Sequence, residues 1–178
     1  MATYVAMLRS VNVGGHNRIK MPVLEALFAG LGYSEVVTYI QSGNVVFAGR
    51  ARNAPAVARS IEERIARELG LDVSVLLRTK EELVKVVRAN PFLRTDADRE
   101  RLHVTFLAGA PPAALAGEVE NFDAGEDRAR VLGREVYLHC PSGYGNTKLN
   151  GSFVERRLKT VATTRNWNTV TKLAELAQ

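Results

Sequence analysis

Tryptophan and cysteine occur once each in the 178 residues, and histidine three times. A lone Cys140 forms no internal disulfide, and His16, His103 and His139 have none of the spacings of a closed zinc site, so neither a cross-linked scaffold nor a structural metal is expected. Long apolar runs are missing too: no stretch of about 18 apolar residues is present, so no membrane-spanning helix and no membrane partner is expected. The opening Met1-Ala2-Thr3-Tyr4-Val5-Ala6-Met7-Leu8-Arg9 lacks the basic leader and apolar core of a secretion signal, which points to a cytoplasmic location. No low-complexity tract and no internal repeat can be read.

What is present is the composition of a folded protein, with 46% hydrophobic, 24% charged and 7% aromatic positions. A chain of this length buries roughly 70% of the surface its unfolded form exposes, enough for one substantial core or two small subdomains. The net charge is +5. The excess sits at the two ends: Arg9, Arg18, Lys20 and Arg50 face only Glu25 and Glu35 in the first fifty residues, and the segment after residue 140 is similarly basic. Such a balance attracts anions, nucleic acids included, but is also what an ordinary solvated surface carries.

Residues 3–8 read as a buried strand that runs into a loop at Gly14-Gly15. Pro22 suits a first helical turn, Val23, Leu24, Leu27, Phe28 and Leu31 recur at helical spacing, and Gly30-Leu31-Gly32 supplies a stop. Strands at 36–40 and 45–48 flank Gln41-Ser42-Gly43-Asn44, a hairpin signal because Gly and Asn tolerate positive φ. A helix from Pro55 to Leu69, ended by Gly70, and a strand at 73–77 complete a βαββαβ order. That order is the split arrangement of a ferredoxin-like sheet, with two helices on one face. The first strand is apolar on both parities and the last shows little polar alternation, so the second face is expected to be covered as well, by the rest of the chain or by another subunit.

A helix at 80–89 stops at Asn90-Pro91, and the charged stretch 94–101 reads as a connector. A strand at 102–107, a helix opened by Pro111-Pro112, strands at 129–132 and 135–140, and helices at 148–161 and 168–177 follow. The fold class is therefore α+β: a ferredoxin-like subdomain over 1–90 and a second, smaller α+β subdomain over 91–178 that ends in helices.

Three loops could carry chemistry. Asn12-Val13-Gly14-Gly15-His16-Asn17-Arg18-Ile19-Lys20 joins a strand to a helix through two glycines, and such a loop can aim backbone N–H groups and cations at an anion. It is neither a dinucleotide fingerprint nor a P-loop, and a Gly-Gly pair is often only a turn. Topology puts the Gln41-Ser42-Gly43-Asn44 hairpin at the same end of the sheet. Asn12, His16, Asn17, Gln41, Ser42 and Asn44 can then surround one depression, with Arg9 a further candidate ligand contact, although capping and turn formation explain the Asn, Ser and Gly of these loops.

The second loop, Ser142-Gly143-Tyr144-Gly145-Asn146-Thr147-Lys148, lacks the Gly before Lys of a phosphate loop; Thr147 is expected to cap a helix with Lys148 in its first turn, where Lys148 is a candidate anion contact beside the ordinary capping role. In the third, Arg165-Asn166-Trp167, the indole can stack a planar ligand or simply pin the last helix to the core. His139 and Cys140 are adjacent on a strand, point to opposite faces and form no nucleophile–base pair.

Residues 8–15, 38–47 and 164–169 resemble those of the bacterial family known as domain of unknown function 1697. The resemblance spans nearly the whole chain and is weakest across 94–135. It implies two different α+β subdomains, the first ferredoxin-like, and carries no reaction, cofactor or catalytic residue. Ser10 stands where the family commonly has Gly. The expected function is binding of an anionic small molecule, nucleotide or nucleic acid by the glycine-bearing loops. An enzyme acting on a small polar or phosphorylated metabolite, with His16 as its base, is the alternative, and a purely structural or protein-interaction role for these motifs is the third.

Overall fold

A computed structural model describes every residue, Met1–Gln178, and resolves into two compact units. One comprises Met1–Lys85 with Leu173–Gln178, the other Val86–Lys172.

The first unit runs β1 (Ala2–Leu8), α1 (Met21–Gly30), β2 (Ser34–Tyr39), β3 (Asn44–Gly49), α2 (Ala54–Leu69) and β4 (Val75–Thr79), and α3 (Lys80–Ala89) begins directly after it. The strands lie in the order β2-β3-β1-β4 with antiparallel pairing throughout, which is the ferredoxin-like arrangement. Local chemistry sets the boundaries. Pro22 opens α1, the Asn53 side chain accepts a hydrogen bond from the Ala56 N–H at the start of α2, and Gly70 ends that helix at a φ of 65°.

Helices and sheet close on a core that includes Tyr4, Leu8, Leu24, Phe28, Phe47 and Ile61. Phe47 is its hub, with ring centroids 5.6 Å from Tyr4, 5.1 Å from Phe28 and 4.6 Å from Tyr33. Each such ring contributes roughly 1.5–3 kcal/mol by leaving water. The opposite face is buried as well, through Val5, Met7, Val46, Leu76 and Arg78. That accounts for strands with no polar alternation.

The second unit runs β5 (Leu102–Leu107), α4 (Ala113–Glu120), β6 (Arg128–Leu132), β7 (Glu135–His139), α5 (Gly151–Leu158) and β8 (Ala162–Asn166), with α6 (Trp167–Leu176) directly after. Its strand order, β6-β7-β5-β8, repeats that of the first unit. The chain thus carries one topology twice, although no repeat is legible in its residues. Registers correspond: Val5 faces Arg78 across β1 and β4, and Val104 faces Arg165 across β5 and β8. Both arginines are buried, and each donates Nη1–H to the carbonyl of the residue before it, Leu77 at 2.8 Å and Thr164 at 3.0 Å.

Several expectations are corrected. The segment before the last helix is not a loop but strand β8, because Thr163 and Thr164 are β-branched and complete the ladder on β5. The helix expected over 148–161 is shorter. Asn150, not Thr147, caps α5 by accepting from the Phe153 N–H at 3.0 Å, and Lys159 ends it at a φ of 54°. Thr147 instead accepts from the Leu149 N–H, so Lys148 lies before the helix and outside its first turn. The charged connector at 94–101 is bracketed by two single 3-10 turns, Pro91–Arg94 and Arg99–Arg101.

Candidate functional site

The Arg9–Lys20 loop leaves β1 and enters α1. Ser10, Asn12, Gly14, Gly15 and Asn17 all have positive φ, so the chain coils left-handed repeatedly within eight residues. Asn12 organises the loop. Its Oδ1 accepts from the Ile19 N–H at 2.9 Å, its Nδ2 donates to the Ile19 carbonyl at 2.9 Å, and the same Nδ2 donates to the Gln41 carbonyl at 2.7 Å. One side chain therefore closes the loop upon itself and ties it to the hairpin. The Asn17 amide adds a bond to the Ser10 carbonyl.

The hairpin comes close from the other side. The Leu8 N–H donates to the Gly43 carbonyl at 2.9 Å. Gly43 has a φ of 79°, and a Cβ there would lie 2.9 Å from the Leu8 Cβ and 3.2 Å from that of Val11. Glycine is thus required both for the turn and for the approach. The second left-handed residue of this turn is Ile40, at a φ of 51°, and not Asn44. Asn44 begins β3 fully buried, its amide donating to the Tyr39 carbonyl and the Ser42 hydroxyl, so it holds the hairpin from inside. A β-branched residue at positive φ is a strained arrangement.

Between loop and hairpin lies a depression of about 540 Å³ lined by Asn12, Gly15, Arg18, Ile19, Lys20 and Gln41. Two of its six lining residues are cations and none is acidic. The Arg18 guanidinium lies against Gly15, where a Cβ would come within 3.3 Å of its Nη2. Lys20 precedes α1, whose first N–H groups receive no side-chain cap. Pro22 has no N–H and the Val23 and Leu24 N–H groups donate to the Lys20 carbonyl, so it is the positive end of the helix dipole and the two cations that share one border of the depression. His16 is exposed and outside this lining, and Gly14 approaches only its ring, with a Cβ position 3.8 Å away. Arg9 is half-buried, its Nη1 at 3.5 Å from the Ser10 hydroxyl. Arg18 and Lys20 are functional candidates that the residue types singled out less sharply than their asparagine and glycine neighbours.

Lys148, Arg165, Asn166 and Trp167 belong to the second unit. Lys148 and Asn166 are exposed, and the Asn166 Oδ1 accepts from the Thr169 N–H at 2.8 Å, the N-cap of α6. Trp167 is 4% exposed and offers no open ring face. Arg165 is 8% exposed and donates to the Thr163 hydroxyl at 2.6 Å. Burial pushes its pKa down to about 10, which leaves it charged at neutral pH. In the same unit burial pushes the Cys140 thiol up to about 11, so Cys140 is a protonated, inert core residue. The His103 imidazole is also pushed down by burial, an Arg101 backbone hydrogen bond opposing that shift in part.

Residues 1–137 match the family described as Protein of unknown function (DUF1697). Among solved structures, a conserved bacterial protein, SP0830 from Streptococcus pneumoniae, superposes with a TM-score of 0.78 at 22% identity over 99% of each chain. That likeness concerns the fold. No curated protein matches the chain. No helix is long and apolar enough to cross a membrane.

Proposed function

The chain belongs to the DUF1697 family of proteins of unknown function; from that premise, and because the family name carries no activity, we propose on the site alone that the depression between the glycine loop and the hairpin binds a small anion, such as the phosphate of a nucleotide or metabolite. One observation carries the reading: Arg18 and Lys20 line a depression with no carboxylate in it, held open by Asn12 through bonds to both walls. Cations with no acidic neighbour attract an anion without first breaking an ion pair, and a wall fixed by hydrogen bonds loses little entropy on binding. Left-handed Ser10, Asn12 and Asn17, with Ile40 opposite, further support it, since backbone strain of this kind gathers where a surface is shaped for a ligand.

The test is a thermal-shift and calorimetric titration with inorganic phosphate and with adenosine diphosphate at constant ionic strength. The parent is expected to be stabilised by at least one of the two, and Arg18→Gln combined with Lys20→Gln to lose that effect at unchanged melting temperature. Equal response of parent and double variant, or none in the parent up to about a hundred times a millimolar-scale Kd, overturns the reading.

A further inference from the structure

The second unit contains a separate cavity, of about 610 Å³, lined by Phe92, Asp96, Asp98, Arg101, Arg128 and His139 among others. We propose that this cavity binds a zwitterion with an apolar centre, of the size and chemistry of a short peptide. It is independent of the anion site and does not rest on it.

The argument begins with charge. Arg101 and Asp96 both line the cavity, yet neither takes part in an ion pair within the protein. Opposite charges that share a hollow normally neutralise each other when they can reach. Held apart, they offer one site for a carboxylate and another for an ammonium. Arg128 is oriented by its own fold: Nη1 donates to the Gly125 carbonyl at 2.6 Å and the Asp127 carbonyl at 2.9 Å, which leaves the rest of the guanidinium donors for a ligand. Asp98 commits one carboxylate oxygen to the Glu100 N–H at 3.0 Å and keeps the other. Both charge signs are therefore present in duplicate, and one group of each sign, Arg128 and Asp98, is held by backbone contacts.

The floor is apolar and aromatic. The Phe92 and His139 rings lie 5.8 Å apart at an interplanar angle of 46°, and Ala97, Pro141 and Thr95, whose hydroxyl donates to the Phe92 carbonyl at 2.8 Å, also line the cavity. Phe92 is fixed through its backbone, because the Asn90 Oδ1 accepts from the Phe92 N–H at 3.0 Å at the start of the 3-10 turn. A bare anion would be repelled by Asp96 and Asp98, and a bare cation by Arg101 and Arg128. A ligand carrying both charges, separated by a segment that covers the rings, meets all three requirements.

The probes are glycyl-L-phenylalanine, its N-acetyl form and its C-terminal amide, titrated into the full chain by isothermal calorimetry and by amide chemical shifts. The dipeptide is expected to bind, and each blocked form about tenfold more weakly, since each loses one charge-assisted contact. Asp96→Asn is expected to abolish discrimination against the N-acetyl form only, and Arg101→Gln that against the amide only. Both positions are exposed, so folding is retained, which circular dichroism checks. Absence of binding, equal binding of the three probes, or variants that leave the discrimination unchanged overturns the proposal. Shifts confined to residues outside the cavity do so as well.

Discussion

Asn12 concentrates more structural work than any other residue of the first loop, because three hydrogen bonds and a φ of 56° converge on it. Replacing it with alanine leaves the part-buried backbone N–H and carbonyl of Ile19 without their partner, frees the exposed Gln41 carbonyl to water, and puts a Cβ residue with no side-chain compensation in the left-handed region. Asn12→Ala is expected to cost about 2–4 kcal/mol in chemical denaturation and to abolish phosphate binding, whereas Arg18→Gln removes binding alone. The contrast separates scaffold from ligand contact. If Asn12→Ala unfolds at the parent's midpoint, the clamp is not what shapes the depression. The importance of Asn12 and Gly43 was legible from residue type, since both belong to the small set that tolerates positive φ. Ile40 was not legible, because a β-branched residue signals strand, and only the closed geometry of the hairpin shows it turned the other way.

At the level of elements, punctuation is legible in the sequence and competition between neighbouring caps is not. Proline and glycine placed α1 and α2 within a residue or two of their observed ends. For α5 the chain offers Thr147 and Asn150 three residues apart, and both can cap; asparagine prevails because its Oδ1 reaches the Phe153 N–H while Thr147 serves the tight turn before it. Strand β8 escaped notice because Arg165 reads as a surface residue, yet it is buried by the ladder partner that β5 supplies. The same sheet predicts a pH effect. His103 on β5 is half-buried and stacked on Tyr144, with ring centroids 4.8 Å apart. With the folded pKa below the ordinary 6.5, the unfolded chain takes up the proton first as pH falls. This contribution to stability is complete above pH 6.5 and is lost below it. His103→Phe keeps the stacked ring and removes the titration, so its melting temperature should fall less than the parent's between pH 7.5 and pH 5. Parallel profiles for the two proteins would count against His103 as the responsible group.

On the scale of the whole molecule, the decisive feature is that one topology occurs twice and that in both sheets the central strands, β1 and β3, β5 and β7, are buried on both faces, with exposure confined largely to the edge strands β2 and β6. Ferredoxin-like sheets that read single-stranded nucleic acid do so by leaving aromatic residues open on the face away from the helices. Here the corresponding positions are closed: Val5 and Met7 on β1, and Val104 and Phe106 on β5, are all buried, as is Tyr137 on β7, whose hydroxyl donates to the Val86 carbonyl at 3.0 Å. The repeat itself was invisible in the sequence because a shared strand order constrains hydrophobic pattern and turn placement, not residue identity. What remains for nucleic acid is the net charge of +5 spread over the surface. Diffuse charge binds phosphate backbones weakly, without preference for sequence, and releases them as salt rises. Fluorescence anisotropy with short single-stranded RNA and DNA is therefore expected to show binding only at low salt, lost by about 150 mM, and indifferent to base composition. Affinity that persists at higher salt, or about a tenfold preference between oligomers of equal length, would mean that a base-reading surface exists outside the sheets, and would move the ligand of the glycine loop from a small anion to a polynucleotide.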